Sequence, residues 1–274
     1  MSIFATFDVK AAGTDANRVL AIGGSVTEIV YALGEGGRLI ARDTTSTYPE
    51  DAKALPNVGY MRALSPEGVL SVNPDLILAE EGMGPPETVA VLTQARIPLV
   101  TVPDDHTRQG IVNKVLTVGR ALGVEAKAEA LAAEIETEML DAEQRTRKRP
   151  AEARKRVLFV LSASGGRILA SGTDTAAAGM IDLAGGINAV TEFDGYKPLT
   201  DEALAAAAPD VILMMDRGGD HSAADETLFE LPAIATTPAG VTRSVVRMNG
   251  LYLLGFGPRT ARAIDDLSAA LYGG

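Results

Sequence analysis

The chain has 274 residues, no cysteine and no tryptophan, and its 25 basic and 36 acidic residues give a net charge of −11. The lack of cysteine excludes disulfides, thiolate metal sites and cysteine nucleophiles, and the acidic balance argues against nucleic acid or an anionic membrane surface as partner. With 46% hydrophobic residues and no apolar run long enough to cross a bilayer, the composition predicts a globular protein that is not membrane-embedded.

The first sixteen residues contain one lysine and no apolar segment of the kind found in signal peptides. On this ground the sequence leaves two locations open. Either the protein is cytoplasmic, or it is exported and its leader has been removed.

Short apolar runs rich in β-branched residues alternate with helical stretches along the chain. These runs are expected to form strands at residues 18–22, 39–41, 76–79, 99–102, 156–161, 168–170, 211–215 and 245–246. Runs that are buried on both faces and alternate with helices predict an α/β fold with mainly parallel sheets.

One long helix is predicted between the two sets of strands. In residues 124–149 apolar side chains recur at helical spacing, charged residues fill the other positions, and no glycine or proline interrupts them. At about 1.5 Å per residue such a helix is about 38 Å long. The predicted organisation is an N-terminal lobe at 1–123, a rigid connecting helix at 124–150 and a C-terminal lobe at 151–274.

The two halves resemble each other in sequence. Residues 64–79 read LSPEGVLSVNPDLILA and residues 199–214 read LTDEALAAAAPDVILM. A Ser or Thr N-cap, an acidic first turn, a Pro-Asp step and an apolar strand therefore recur 135 positions apart, and a tyrosine precedes each copy, Tyr60 and Tyr196. The duplication predicts two similar lobes with a cleft between them.

No dinucleotide-binding, P-loop, serine hydrolase or zinc protease motif is present. His106 and His221 are the only histidines, so the chain cannot supply a three-histidine metal site. We therefore expect a binding protein and no enzymatic activity, with a cytoplasmic α/β enzyme of duplicated architecture as the alternative from another class.

The segment VGYMRALSPEGVLSVNPDLILA, with RVLAIGGSVTEIVYALG, GYKPLT, MMDRGG and LPAIATTPAG, resembles the periplasmic haem-binding proteins of bacterial ABC importers. The resemblance covers residues 18–271. It implies the class III substrate-binding fold, in which two Rossmann-like lobes are joined by one rigid helix, and a periplasmic location. It also implies ferric b-type haem as the transported ligand in the cleft.

The same resemblance implies three partners: an importer permease, its ATPase, and an outer-membrane haem receptor system upstream. A ferric siderophore or cobalamin is the alternative cargo for this fold. The chain has only 12 phenylalanines and tyrosines and no tryptophan, which disfavours these two ligands because their pockets are often rich in aromatic residues.

In the family that the sequence resembles, the tyrosine of the GYMR segment is the axial ligand of the haem iron, which here is Tyr60. The chemistry agrees, because Fe(III) is a hard ion and a phenolate is a hard anionic oxygen donor. Arg62 is expected to stabilise the phenolate or to pair with a haem propionate; the alternative is a solvated surface charge.

Some members of this family add a histidine from the second lobe as a sixth ligand. Residues 161–176, the corresponding loop, contain no histidine, so we expect five-coordinate iron. Arg167 or Arg217 would then reach over the opposite face of the haem or toward its propionates, and Tyr196 is expected to line the cleft.

Four further residues are also candidates for the ligand site. His106 and His221 each follow a predicted strand and stand beside an aspartate, so each is either a distal ligand or an exposed imidazole. Met61 and Met83 are candidates for the apolar walls of the cleft, although methionine more often fills a core.

Glu67 and Glu202 occupy the same position in the two repeats, in the first turn of a short helix. In the wider family one glutamate per lobe pairs with arginines of the permease, and these two match that pattern. An acidic first turn also stabilises a helix through its dipole, which is the alternative reason for each glutamate.

Overall fold

The computed structural model describes residues 15–164, 166–216 and 222–273. Its strands are β1 (Val19–Ile22), β2 (Leu39–Arg42), β3 (Leu76–Glu80), β4 (Leu99–Val102), β5 (Arg156–Ser164), β6 (Arg167–Ser171), β7 (Ile187–Asn188), β8 (Tyr196–Leu199), β9 (Val211–Asp216) and β10 (Val245–Asn249). Its helices are α1 (Gly24–Ala32), α2 (Pro66–Ser71), α3 (Pro86–Gln94), α4 (Arg108–Leu122), α5 (Glu125–Arg147), α6 (Ala176–Leu183), α7 (Asp201–Ala207), α8 (Ser222–Glu230), α9 (Pro232–Ala235), α10 (Pro238–Thr242), α11 (Gly250–Leu254) and α12 (Thr260–Tyr272).

The chain divides between Thr137 and Glu138 into two compact units. This division falls inside α5, which has no break between Glu125 and Arg147. Helix α5 thus lies where the sequence predicts the long helix, while the lobe boundaries at residues 123 and 150 remain a prediction.

The first unit has one sheet of four parallel strands in the order β2-β1-β3-β4. The central strands β1 and β3 are almost wholly buried, because apolar residues face the helices on both sides of the sheet. All four strands end at one edge of this sheet, which is called the carboxyl edge below.

The second unit repeats this arrangement and adds to it. Strands β7, β5, β9 and β10 are parallel and lie in the same order as β2, β1, β3 and β4. Strand β6 pairs antiparallel with the end of β5, and β8 pairs antiparallel with β6. The predicted α/β class with mainly parallel pairing is confirmed, and the antiparallel β6–β8 pair is an addition that the sequence pattern did not indicate.

The Pro-Asp step of each repeat has a structural role. Asp75 accepts the backbone N–H of Arg18 at the start of β1 at 3.0 Å, and the Arg18 guanidinium donates to two carbonyls that follow α2. In the second unit Asp210 accepts the backbone N–H of Arg156 at 2.8 Å, and Arg156 donates to the carbonyl of Ala207. The repeated residues therefore join the first strand of each unit to its short helix.

The core of the first unit decides between the two roles considered for Met61. Met61 is only 5% exposed and packs in the same cluster as Leu20, Ile77 and Leu92. Met83 packs against this cluster and is partly buried. Met61 fills the core and is not available as the wall of a ligand site.

Candidate functional site

Tyr60 belongs to residues 57–64, here called the tyrosine segment. This segment lies next to the end of β2. Val58 and Met61 on either side of it are buried in the core, whereas Tyr60 is 47% exposed. The backbone N–H of Val58 donates to the carbonyl of Arg42, the last residue of β2, at 2.9 Å. The segment therefore turns inward at its apolar residues and presents its tyrosine to solvent beside the carboxyl edge.

Backbone hydrogen bonds hold the tyrosine segment on both sides of the tyrosine. Before it, Thr44 donates its N–H to the carbonyl of Gly59 at 2.8 Å. After it, Gly84 donates to the carbonyl of Met61 at 2.9 Å, and Leu64 donates to the carbonyl of Gly84 at 3.0 Å. Gly59 has a φ of +110°, a conformation that side chains with a Cβ rarely adopt. The phenol thus projects from a backbone of defined geometry.

Arg62 stands two residues after the tyrosine and is exposed. Within the part of the chain that the structure describes, its guanidinium makes no hydrogen bond or ion pair. A cation that is not already paired is available to an anionic group of a ligand, which is compatible with the role expected for Arg62.

His106 also lies near the carboxyl edge, in the loop between β4 and α4. Its Nε2 is 3.5 Å from a carboxylate oxygen of Asp104, and a quarter of its side chain is exposed. The imidazole is thus engaged by a neighbouring carboxylate. Arg217 and His221, the other candidates from loops after strands, lie outside the described residues.

In the second unit the structure separates two of the candidates. Tyr196 begins β8, pairs with Ser171, and places its ring edge-on to Phe159 with centroids 6.2 Å apart. Arg167 is exposed at the other end of β6, where it pairs with Ser164 at the end of β5. Four residues of strand, about 13 Å, therefore separate Arg167 from the level of Tyr196. The two side chains do not form one cluster.

Glu67 and Glu202 have matching surroundings in the two units. Each is the second residue of its short helix and each is exposed. Ser65 accepts the N–H of Gly68 at 3.0 Å, and Thr200 accepts the N–H of Ala203 at 3.2 Å, so both helices begin with the same cap. The duplicated motif places one free carboxylate on the surface of each unit.

The structure also contains a buried charge cluster that the sequence analysis missed. Lys114 in α4 is completely buried, and its ammonium lies 2.8 Å from Asp104, 3.1 Å from the hydroxyl of Ser25 and 3.6 Å from Glu80. Ser25 also donates a short hydrogen bond to Glu80. These four residues, the buried charge cluster, lie just under the carboxyl edge.

Two carboxylates of the buried charge cluster have opposite pKa shifts. Burial raises the pKa of Glu80. The charge of Lys114 lowers this pKa and the charge of Asp104 raises it, and the net shift is upward. Burial alone would also raise the pKa of Asp104, but the hydrogen bond from His106 and the charge of Lys114 outweigh it and lower that pKa to about 2. Asp104 is thus the ionised partner of Lys114.

The position of Lys114 carried a signal that sequence analysis could have used. Ile111, Val115 and Val118 of α4 form its apolar face, and Lys114 falls on that face. A lysine among core positions predicts a buried charge with carboxylate partners. Glu80 and Asp104 could not be assigned to it, because their approach depends on the order of the strands.

The family model described as "Periplasmic binding protein" matches residues 19–250. This chain belongs to the periplasmic binding protein family. The predicted class III fold of that family is confirmed. Among residues 15–164, 166–216 and 222–273, no helix combines the length and apolar character needed to cross a membrane.

Several known proteins are similar to the chain. The structure of the periplasmic haem-binding protein BhuT in complex with two haems is 43% identical, covers 93% of this chain and 97% of its own, and has a TM-score of 0.87. An uncharacterized ABC transporter substrate-binding lipoprotein, YvrC of Bacillus subtilis (strain 168), is 27% identical over 93% of this chain and 80% of its own. The vitamin B12-binding protein of Yersinia pestis (strain Pestoides F) is 37% identical over 94 residues, 34% of each chain.

Proposed function

We propose that this protein binds ferric haem through the phenolate of Tyr60 and delivers it, chemically unchanged, to an ABC importer. The observation that carries the proposal is the exposed phenol on a segment held at both ends beside the carboxyl edge. Ligands of open α/β sheets bind beyond the carboxyl ends of the strands. The extended similarity to haem-binding BhuT supports haem over vitamin B12, whose binding protein matches a third of the chain.

One protein oxygen is enough for such a ligand, because the porphyrin supplies four nitrogens to the iron itself. The described residues contain no group of three His, Asp or Glu side chains that could hold a bare metal ion. Tyr60 binds the iron as a phenolate, and Arg62 pairs with the bound phenolate or with a propionate.

Opposite Tyr60 the iron has no histidine from residues 161–176, so five-coordinate iron is the expected state. Arg167 and Arg217 are the cations proposed to reach the opposite face of the haem or its propionates. Arg167 is exposed and makes no ion pair within the described residues. Tyr196 is assigned to the wall of the site rather than to the iron.

We assign Glu67 and Glu202 to the importer rather than to the haem. Each carboxylate is exposed and unpaired within the described residues, and each is available to an arginine of the permease, which an ATPase drives. Delivery to a permease places the protein outside the cytoplasmic membrane, in the periplasm, with an outer-membrane haem receptor system as the source upstream.

The test is a titration of the protein with haemin, followed in the visible spectrum. We expect a saturable change with a Soret band and the charge-transfer band of high-spin ferric haem bound by tyrosine. Tyr60→Phe removes only the hydroxyl oxygen. It should abolish the spectrum of tyrosine-bound haem. Losing a residue that only supports a metal ligand weakens binding by about 10- to 100-fold, and Tyr60→Phe should weaken haemin binding by more than this.

The matched control is Tyr31→Phe, which removes a hydroxyl from the same unit at the end of α1, away from the carboxyl edge. This variant should titrate like the wild type. No saturable change with haemin would refute the proposal, and tight binding of cobalamin in its place would identify the alternative cargo.

A further inference from the structure

The ammonium of Lys114 holds together three parts of the chain that leave the carboxyl edge. Asp104 follows β4, Glu80 ends β3, and Ser25 lies in the first turn of α1 just after β1. All three place a polar side-chain atom within 3.6 Å of the same nitrogen, which has no exposure to solvent. A buried cation with such partners fixes the relative positions of the loops that carry them.

The first route from Lys114 to the tyrosine segment runs through Glu80. Glu80 begins a turn, because Met83 donates its N–H to the Glu80 carbonyl at 3.2 Å. The next residue, Gly84, exchanges backbone hydrogen bonds with Met61 and Leu64. Glu80 is therefore one turn away from the residues that follow the tyrosine.

The second route runs through Ser25 and the loop after β2. Gly23, two residues before Ser25, donates its N–H to the fully buried carboxylate of Asp43 at 3.1 Å. The next residue, Thr44, donates its N–H to the carbonyl of Gly59, directly before the tyrosine. The two routes thus reach the tyrosine segment from opposite sides.

We propose that Lys114 is a positioning residue that fixes the phenol of Tyr60 through these two loops, an inference that rests on the proposed function. Without the ammonium, Glu80 and Asp104 would be two partly buried carboxylates with no cation between them. The loops after β1, β3 and β4 would then lose the group that joins them, and water would reach the carboxylates. The backbone bonds on both sides of the phenol would lose their fixed geometry.

The test compares Lys114→Met with Arg120→Met. Both variants remove one cation from α4, but Arg120 is exposed and lies outside the buried charge cluster. In the protein without ligand, amide hydrogen exchange of residues 57–64 and 80–84 should become faster in Lys114→Met and stay unchanged in Arg120→Met. Unchanged exchange in Lys114→Met would overturn the inference whether or not the protein binds haem.

Haemin titration provides the second measurement. We expect Lys114→Met to bind haemin about 10- to 100-fold more weakly than the wild type, the range found when a residue supporting a metal ligand is lost. In a Tyr60→Phe background the same substitution should have no further effect, because the ligand that it positions is absent. An equal loss in both backgrounds would show a general structural role and contradict the proposal.

A third variant covers the case in which Lys114→Met does not fold. Lys114→Met/Glu80→Gln/Asp104→Asn removes all three charges, so that no carboxylate is left without its cation. It should fold, exchange faster at residues 57–64 and bind haemin more weakly than the wild type. Wild-type exchange and binding in this variant would refute the role of Lys114, whereas a wild type that does not bind haemin refutes the proposed function alone.

Discussion

Asp104 makes the stability of the first unit depend on acidity. Its pKa in the folded protein, about 2, lies below the ordinary 3.8, so the stability it contributes is complete above pH 4 and is lost as pH falls toward 2. We expect Asp104→Asn to lower the free energy of unfolding by about 2 kcal/mol at pH 7. The difference from the wild type should vanish near pH 2, as measured by urea unfolding across this range.

Glu80 is the matched control for this prediction, because its pKa is shifted upward. The stability contributed by its protonated form is present at low pH and is lost as pH rises through the raised pKa. The Glu80→Gln variant should therefore still lose stability as the pH falls below 4, as the wild type does. Parallel pH curves for Asp104→Asn and the wild type would contradict the assignment of the acid-sensitive group to Asp104.

At this scale the sequence selects single residues as candidates more readily than clusters. Tyr60, Glu67 and Glu202 can be chosen as candidates because short motifs contain them and because the motif is duplicated. The partners of Lys114 cannot be chosen in this way, because Ser25, Glu80 and Asp104 meet it only through the fold. The burial of Met61 likewise depends on a turn of the tyrosine segment that the tetrapeptide does not specify.

The contact between α4 and α5 depends on the absence of a side chain at Gly119. A Cβ at this position would lie 2.1 Å from the Cβ of Ala128, closer than two carbon atoms can approach. Alanine favours helices over glycine by about 1 kcal/mol. We nevertheless expect Gly119→Ala to lower the free energy of unfolding by about 2 kcal/mol, because the two helices must move apart.

Urea or thermal unfolding measures this effect, with Gly37→Ala as its control. A Cβ at Gly37 meets no atom within 4 Å, and this glycine does not have a positive φ. Gly37→Ala should leave stability within about 0.5 kcal/mol of the wild type. If Gly119→Ala proved as stable as Gly37→Ala, the close packing of α4 on α5 would be wrong.

The elements that the sequence predicted correctly are those whose own residues determine them. The eight predicted runs all contain strands, since each has apolar residues for both faces of a sheet. Strand β8 reads YKPL and is largely exposed, and β7 has only two residues. Both form through pairing with distant strands, so no local pattern could indicate them.

At the scale of the whole molecule, the duplicated segment predicts that each unit contributes one glutamate to the proposed docking on the permease. Glu67→Lys and Glu202→Lys should each slow the capture of the haem-loaded protein by its reconstituted permease by about tenfold. Haemin binding by the isolated variants should equal that of the wild type. The double variant should lose more than either single one, since each unit provides its own carboxylate.

Glu87→Lys separates docking from a general effect of charge. Glu87 is also an exposed carboxylate in the first turn of a helix, but α3 has no counterpart of this glutamate in the repeated segment. This variant changes the net charge and the helix dipole to the same extent as Glu67→Lys. Equal loss of capture in both variants would refute a specific role for Glu67.

The hydrogen bonds around Gly59 and Met61 mean that the cost of ordering the tyrosine segment is met during folding rather than at capture. A loop that closed around its cargo would spend part of its binding energy on lost chain entropy, but it could follow ligands of different shape. The tyrosine segment loses little chain entropy on binding, but it cannot adapt to ligands of different shape. Under the proposed function, cargo selection would rest on which molecule can bring its metal to an oxygen whose position is already fixed.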